Sequence, residues 1–229
     1  MKYEVIIFDA DETLFDFRES EKYAFEKAIL EFNIDYREDY HLKIYSDINT
    51  AIWKEFECGL ISQEKLKVER FKRLSHELNI KFDELEFSKS YLKHLSHSSI
   101  LYEESFTLIE ELSKNYRLSI ITNGLSDVQS NRIRKSSIAK YFDDIIISEE
   151  VSVSKPNSDI FKIALNNLNY NDKSKVLMVG DSLTSDIQGG INFGIDTCWL
   201  NTCKIENKTN FKPTYEISRL TEIIEILNK

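Results

Sequence analysis

The chain has 229 residues, 41% of them hydrophobic, with 39 acidic against 30 basic side chains and a formal net charge of −9. This size suits one large domain or a core with a smaller insert, and the acidity argues against a nucleic-acid polymer as partner, because phosphate backbones select basic surface. Cys58, Cys198 and Cys203 form neither a disulfide framework nor a paired metal site; with no secretory segment at the start and no apolar run of membrane-spanning length, a soluble cytoplasmic protein is expected, as monomer or homodimer, with no membrane partner.

Taken in chain order, the first β-type run is Val5 to Phe8, ended by Asp9. From about Asp16 to Leu95 no convincing strand occurs. Phe25, Ala28, Ile29 and Phe32 share one helical face, and Leu42, Tyr45, Ile48 and Ile52 a looser one. Phe71, Leu74 and Leu78 form a third after Ser62, a candidate cap, and Asp83 and Glu86 have capping spacing for a fourth. This stretch reads as an inserted helical bundle over residues 16–95, with hinges near Phe15–Phe17 and Ser96–Ile100; residues 1–15 and 96–229 then make the core.

Beyond the insert, Ile109 and Leu112 predict a helix ending near Asn115. Leu118–Ile121, Ile145–Ile147, Val176–Val179 and Thr197–Leu200 are β-type runs, and Phe161, Ala164, Leu165 and Leu168 keep helical spacing between them. Leu220, Ile223, Ile224 and Leu227 predict a last helix with Ser218 as its N-cap. Strands alternating with helices imply right-handed βαβ units and a parallel sheet, an α/β fold.

Four segments combine strand ends or helix starts with residues suited to phosphate chemistry. Asp9 and Asp11 stand two apart after the first strand, where two neighbouring carboxylates favour a cation, a shared proton, or both. One could attack phosphorus while the other shuttles a proton; an Asx turn with a solvated second acid is the plainer alternative. Thr122, Asn123 and Gly124 offer a hydroxyl, an amide and open N–H groups to phosphate oxygens, though such triplets are also ordinary turns. Pro156 suits the first turn of the next helix and would fix Lys155 at the sheet edge, where an ammonium offsets phosphoryl charge. After Gly180, Asp181 could share a hard cation with Asp9, Mg2+ being the natural choice, and Asp186 could cap the following helix.

Parallel strand ends converge on one sheet edge, so these segments can meet in space. Together with Phe8 to Phe15, Ile121 to Gly124, Ile147 to Val151, Ser154 to Asn157, Val179 to Ser182, Ser185 to Asn192 and Thr197 to Asn201, they resemble the haloacid dehalogenase superfamily of phosphohydrolases, in particular its noncanonical pyrimidine 5′-nucleotidase branch. The resemblance covers essentially the whole chain. It implies a Rossmann-like core with an inserted helical cap, and removal of the 5′-phosphate from pyrimidine nucleoside monophosphates. It also implies roles: Asp9 as nucleophile, Asp11 as acid and base, and Thr122, Asn123, Gly124 and Lys155 around the phosphoryl group. Asp9, Asp181 and the Asp11 carbonyl would bind Mg2+, with Asp186 behind them. Tyr102-Glu103-Glu104-Ser105 departs from the Pro-Gly that many relatives carry before the helix following the cap.

Cap and core are expected to close over the substrate. Aromatic residues of the insert could stack on a pyrimidine, although aromatics at helical spacing usually build a bundle core. Phe15 and Asp16, nearest the reacting centre in sequence, are candidate pocket residues. A phosphatase for another small metabolite, such as a sugar phosphate or phosphoglycolate, is the alternative substrate reading. A phosphate-sensing or protein-binding module without turnover is the alternative of another class. Dehalogenation is disfavoured by Asp11, whose proton shuttle carbon–halogen cleavage does not need.

Overall fold

A computed structural model describes residues 2–228, for Glu57 the backbone only. Contacts divide the chain into two compact units, a sheet unit of residues 1–17 and 99–229 and a helical unit of residues 18–98. No helix among the described residues is long and apolar enough to cross a membrane.

The sheet unit starts with β1 (Val5–Phe8). The chain then leaves it through α1 (Phe17–Glu31), a π-helical turn at Glu38–Leu42, α2 (Lys43–Glu57), α3 (Gln63–Leu78) and α4 (Glu84–Ser96). Ser62 Oγ accepts the Lys65 amide at 3.4 Å and Asp83 Oδ1 the Glu86 amide at 2.9 Å, so both expected caps form. The helical unit packs around aromatic rings: Phe25 stacks on Tyr45 with centroids 4.6 Å apart, and Tyr45 on Phe71 at 5.6 Å. Tyr45, Phe71, Phe87 and Tyr91 are all fully buried.

Back in the sheet unit follow α5 (Ser105–Leu112), β2 (Arg117–Thr122), α6 (Ser126–Arg132), β3 (Asp144–Ile147), α7 (Ser148–Val151) and α8 (Ser158–Asn167). Next come β4 (Val176–Gly180), a π-helical turn at Leu183–Ile187, α9 (Gln188–Phe193), β5 (Asp196–Leu200), β6 (Tyr215–Ile217) and α10 (Ile223–Leu227). The six strands are parallel, in the order β3-β2-β1-β4-β5-β6. Successive residues of a strand face opposite sides, which sorts the core. Ile6, Phe8, Leu118, Ile120, Leu177 and Val179 join Leu108, Ile109 and Leu112 of α5 and Ile223 and Ile226 of α10. Val5, Ile7, Ile121 and Met178 join Ile160, Phe161 and Leu165 of α8 and Phe193 of α9. Burial on both faces explains why these strands read as near-continuous apolar runs, broken in β2 only by the buried Ser119.

Two local expectations are corrected. Asn157, not Pro156, opens α8: its side chain caps the Asp159 amide at 2.9 Å, leaving Pro156 two residues ahead of the helix. The Lys155–Pro156 peptide is cis. Ser218 does not cap the last helix. The chain enters it through a 3-10 turn at Leu220–Glu222, and Glu222 reaches back to accept the Ser218 amide and hydroxyl, both at 3.1 Å.

β1 is the switch point of the sheet: β2 and β3 lie on one side of it, β4 to β6 on the other. Phe8 pairs with Ile120 of β2 and Val179 of β4, so the residues just after these three strands emerge at one edge. A crevice outside the carboxyl ends of strands at such a point is the usual ligand site of open α/β sheets.

Candidate active site

Asp9 extends β1 by one residue, its amide donating to the Val179 carbonyl at 2.8 Å, and its side chain is buried. Lys155 points at it. The ammonium lies 2.5 Å from Asp9 Oδ1, 2.7 Å from Asp186 Oδ1 and 2.7 Å from the Ile121 carbonyl, one acceptor for each of its three protons. Asn123 holds the lysine backbone in place, giving its amide to the Lys155 carbonyl and accepting the Lys155 N–H, both at 2.9 Å.

Asp186 sits on the π-helical turn after β4. Its Oδ2 accepts the Ser182 amide at 3.0 Å, while Ser182 Oγ caps the same turn at the Ser185 amide. Gly180 makes room for this, since a Cβ there would lie 2.3 Å from Asp186 Oδ2. Asp181 follows directly. Its carbonyl accepts the Trp199 indole N–H at 2.8 Å, and among the described residues none donates a hydrogen bond to its carboxylate.

Asp9, Asp181 and Asp186 each bring a carboxylate oxygen to within 4.8 Å of the others. Three carboxylates face one ammonium, an excess of negative charge in a buried place. Burial pushes the Asp9 carboxyl up to about 7, and Asp186 adds to the shift against the pull of Lys155. Burial, then Asp186 and Asp9, drive the Asp181 carboxyl well above the usual range. Burial alone would lower Lys155, but Asp186 and Asp9 outweigh it and hold the ammonium charged. An all-oxygen donor set with surplus negative charge fits a hard divalent cation such as Mg2+.

Thr122 ends β2 and is buried. Its Oγ1 accepts the Gly124 amide and the Gln129 side-chain amide, both at 3.2 Å, so the hydroxyl proton is left to donate elsewhere. Asp11 lies on the loop after β1, half-buried. Gln129 Nε2 donates to its Oδ2 at 2.6 Å and Arg132 Nη1 to its Oδ1 at 2.7 Å.

Gln129 and Arg132 do not figure among the residues expected from sequence. A signal was available: they stand three apart, on one face of the helix that opens from the Thr122-Asn123-Gly124 turn. The acidic pair of the Ile147 to Val151 segment serves that helix too, since Glu149 Oε2 accepts the Ser126 amide at 2.6 Å. Phe15, a candidate pocket residue, is wholly buried in the sheet-unit core, with the Arg132 guanidinium 5.7 Å from its ring centre. Asp16 is half-buried and its amide donates to the Ile100 carbonyl at 3.0 Å.

Residues 6–200 match the model of the family described as haloacid dehalogenase-like hydrolase. The chain belongs to this family. Over the full length of both chains it is 35% identical to pyrimidine 5′-nucleotidase YjjG of Escherichia coli. It is 34% identical to pyrimidine 5′-nucleotidase PynA of Streptococcus pneumoniae, over all of this chain and 97% of that one. The crystal structure of YfnB from Bacillus subtilis, bound to magnesium and described as revealing interdomain movement, matches with a TM-score of 0.94 at 33% identity, covering both chains completely. This haloacid dehalogenase-like hydrolase therefore shares its fold, along the whole chain, with a relative whose crystal structure is bound to magnesium.

Proposed function

We propose that this protein is a Mg2+-dependent phosphomonoesterase, a 5′-nucleotidase acting on pyrimidine nucleoside monophosphates through an aspartyl-phosphate on Asp9. The observation that carries the chemistry is the buried carboxylate cluster around Asp9 and Lys155 at the switch point of the sheet. The substrate class rests on full-length similarity to two proteins named pyrimidine 5′-nucleotidases.

With Oδ1 of Asp9 held by Lys155, Oδ2 is the oxygen that attacks phosphorus. As the Asp9–phosphorus bond forms and the bond to the 5′ oxygen breaks, Asp11 gives its proton to that oxygen and the nucleoside leaves. Water then attacks the aspartyl-phosphate, Asp11 takes a proton from it, and phosphate departs with Asp9 restored. The Thr122 hydroxyl and the Asn123 N–H bind the phosphoryl oxygens, with the Gly124 amide holding Thr122 Oγ1 in place, and the Lys155 ammonium offsets the charge that builds on them. Asp9, Asp181 and the Asp11 carbonyl would hold Mg2+, with Asp186 behind them. When bound, the ion supplies positive charge to the phosphoryl oxygens and to the crowded carboxylates.

Phosphate release from UMP, dUMP and dTMP, set beside release from sugar phosphates and phosphoglycolate, tests the reading. Turnover of the pyrimidine nucleotides is expected to be the fastest, to need Mg2+, to stop with EDTA and to vanish in Asp9→Asn. Fast turnover of sugar phosphates with none of the nucleotides would overturn the substrate assignment, and activity persisting in Asp9→Asn would overturn the covalent mechanism.

A further inference from the structure

Arg132 is fully buried, and its guanidinium is spent on the carboxylate proposed above as the acid and base. Burying a cation is costly, and a well-packed apolar side chain often serves stability as well. What the arrangement achieves is geometric. Arg132 Nη1 takes Oδ1 of Asp11 and Gln129 Nε2 takes Oδ2, so the plane of the carboxylate is fixed from both ends. The two clamps are themselves joined, with Arg132 Nη1 donating to Gln129 Oε1 at 3.0 Å. The same Gln129 amide reaches Thr122 Oγ1, tying the acid to the turn that would bind the phosphoryl group.

The surroundings keep both clamps in place. Gln129 lies directly over Gly124, where a Cβ would come within 2.2 Å of its Nε2, so the glycine of the turn is what admits the amide. The Arg132 guanidinium stands over the rings of Phe15 and Phe17, at 5.7 and 5.3 Å. Its carbonyl accepts the Ser99 hydroxyl at 2.6 Å. Phe17 and Ser99 are the last and first sheet-unit residues on either side of the inserted helices.

We infer that Gln129 and Arg132 are positioning residues for the proton-transfer step, holding the Asp11 carboxylate in line with the leaving 5′ oxygen. This rests on the phosphomonoesterase reading. In the first half-reaction Asp11 loses its proton to the leaving oxygen as the phosphorus–oxygen bond breaks, and in the second it regains one from the attacking water. Misplacing it matters only where the leaving group needs that proton. An alkoxide from a nucleotide needs it, whereas 2,4-dinitrophenolate leaves without it. Positioned proton transfer contributes roughly 10²–10⁴-fold, and this is the effect at stake.

Gln129→Met keeps the length of the side chain and removes its donor, Arg132→Lys keeps the charge and removes the fork, and Arg132→Met removes both. The experiment measures kcat and KM on dUMP, and by stopped flow the burst of dinitrophenolate from 2,4-dinitrophenyl phosphate, all with Mg2+. Gln129→Met and Arg132→Lys are expected to lower kcat on dUMP by about 10²-fold with KM little changed, while the burst rate stays close to wild type. Equal loss on both substrates, or no loss on either, would overturn the inference. Should Arg132→Met fail to fold, the other two variants decide, each checked by near-UV circular dichroism. Wild-type protein that hydrolyses neither ester would instead refute the phosphomonoesterase reading itself, so the two failures are distinguishable.

Discussion

Lys155 in the sheet unit and Arg70 in the helical unit are each only 2% exposed, yet they are buried in different company. Lys155 has an acceptor for every proton, two of them carboxylates. Arg70 bonds through Nη1 alone, to Asn49 Oδ1 at 3.2 Å and the Tyr45 hydroxyl at 3.5 Å, and its Nε and Nη2 have no hydrogen-bond partner. Its guanidinium lies instead over the rings of Phe71 and Tyr91, at 5.0 and 4.8 Å. In one unit a buried cation is matched to the carboxylates of the proposed active site. In the other it serves as a flat surface in an aromatic core. Burial by itself therefore does not mark a functional charge; the completeness and the sign of its partners do.

Replacing each cation by methionine puts this contrast at risk. Lys155→Met strands Asp9 and Asp186 in a buried site, and breaking a buried pair in this way costs about 3–5 kcal/mol. Urea unfolding without divalent ions is expected to show that loss, and added Mg2+ to recover part of it, because Asp9 and Asp181 still offer it oxygens. Turnover of dUMP is expected to fall even with Mg2+ present, because the ammonium proposed to offset the phosphoryl charge is gone. Unchanged stability in this variant would remove the distinction drawn between the two cations.

In the helical unit the packing carries the larger effect. Phe71 touches the rings of Tyr45, Phe87 and Tyr91, with centroids 5.0 to 5.6 Å away, and Phe71→Ala is expected to cost about 3–5 kcal/mol in urea unfolding. Arg70→Met trades an incompletely bonded guanidinium for apolar surface of similar length. It is expected to change stability by under about 2 kcal/mol, with no response to Mg2+. A loss as large as that of Lys155→Met would mean that Arg70 answers a buried acid after all, Glu21 being the candidate.

The same contrast explains what the sequence disclosed. β1, β2 and β4 are buried on both faces, so each announces itself as an apolar run, and each ends on the residues that meet at the site. Asp9, Thr122 and Asp181 are thus legible from short windows, whereas Lys155 follows none of these strands. Gln129 and Arg132 lie 118 and 121 residues from Asp11, and nothing local on α6 names that partner. β6 is a three-residue strand at the sheet edge, too short to carry a period. Around Pro156 and Ser218 the rule for helix starts was sound but found a competitor: Asn157 is the better cap, and Glu222 can reach back to Ser218 from the 3-10 turn that precedes the helix. In the helical unit the periodicity gave the helices, while the pairing of Arg70 with Asn49 and Tyr45 depends on bundle geometry that no single helix encodes.

The smallest effects belong to the caps, where two sites differ in geometry and in charge. Asp83 Oδ1 accepts the Glu86 amide at 2.9 Å, whereas Ser62 Oγ lies 3.4 Å from the Lys65 amide. The aspartate also brings a negative charge to the positive end of α4. Asp83→Ala is expected to cost about 1 kcal/mol and Ser62→Ala nearer 0.5 kcal/mol, read from urea midpoints at constant slope. Raising the salt concentration separates the two contributions at Asp83, because the charge–dipole part is screened and the hydrogen bond is not. If the Asp83 loss shrinks toward the Ser62 value in high salt, the charge makes the difference; if it does not, the shorter hydrogen bond does.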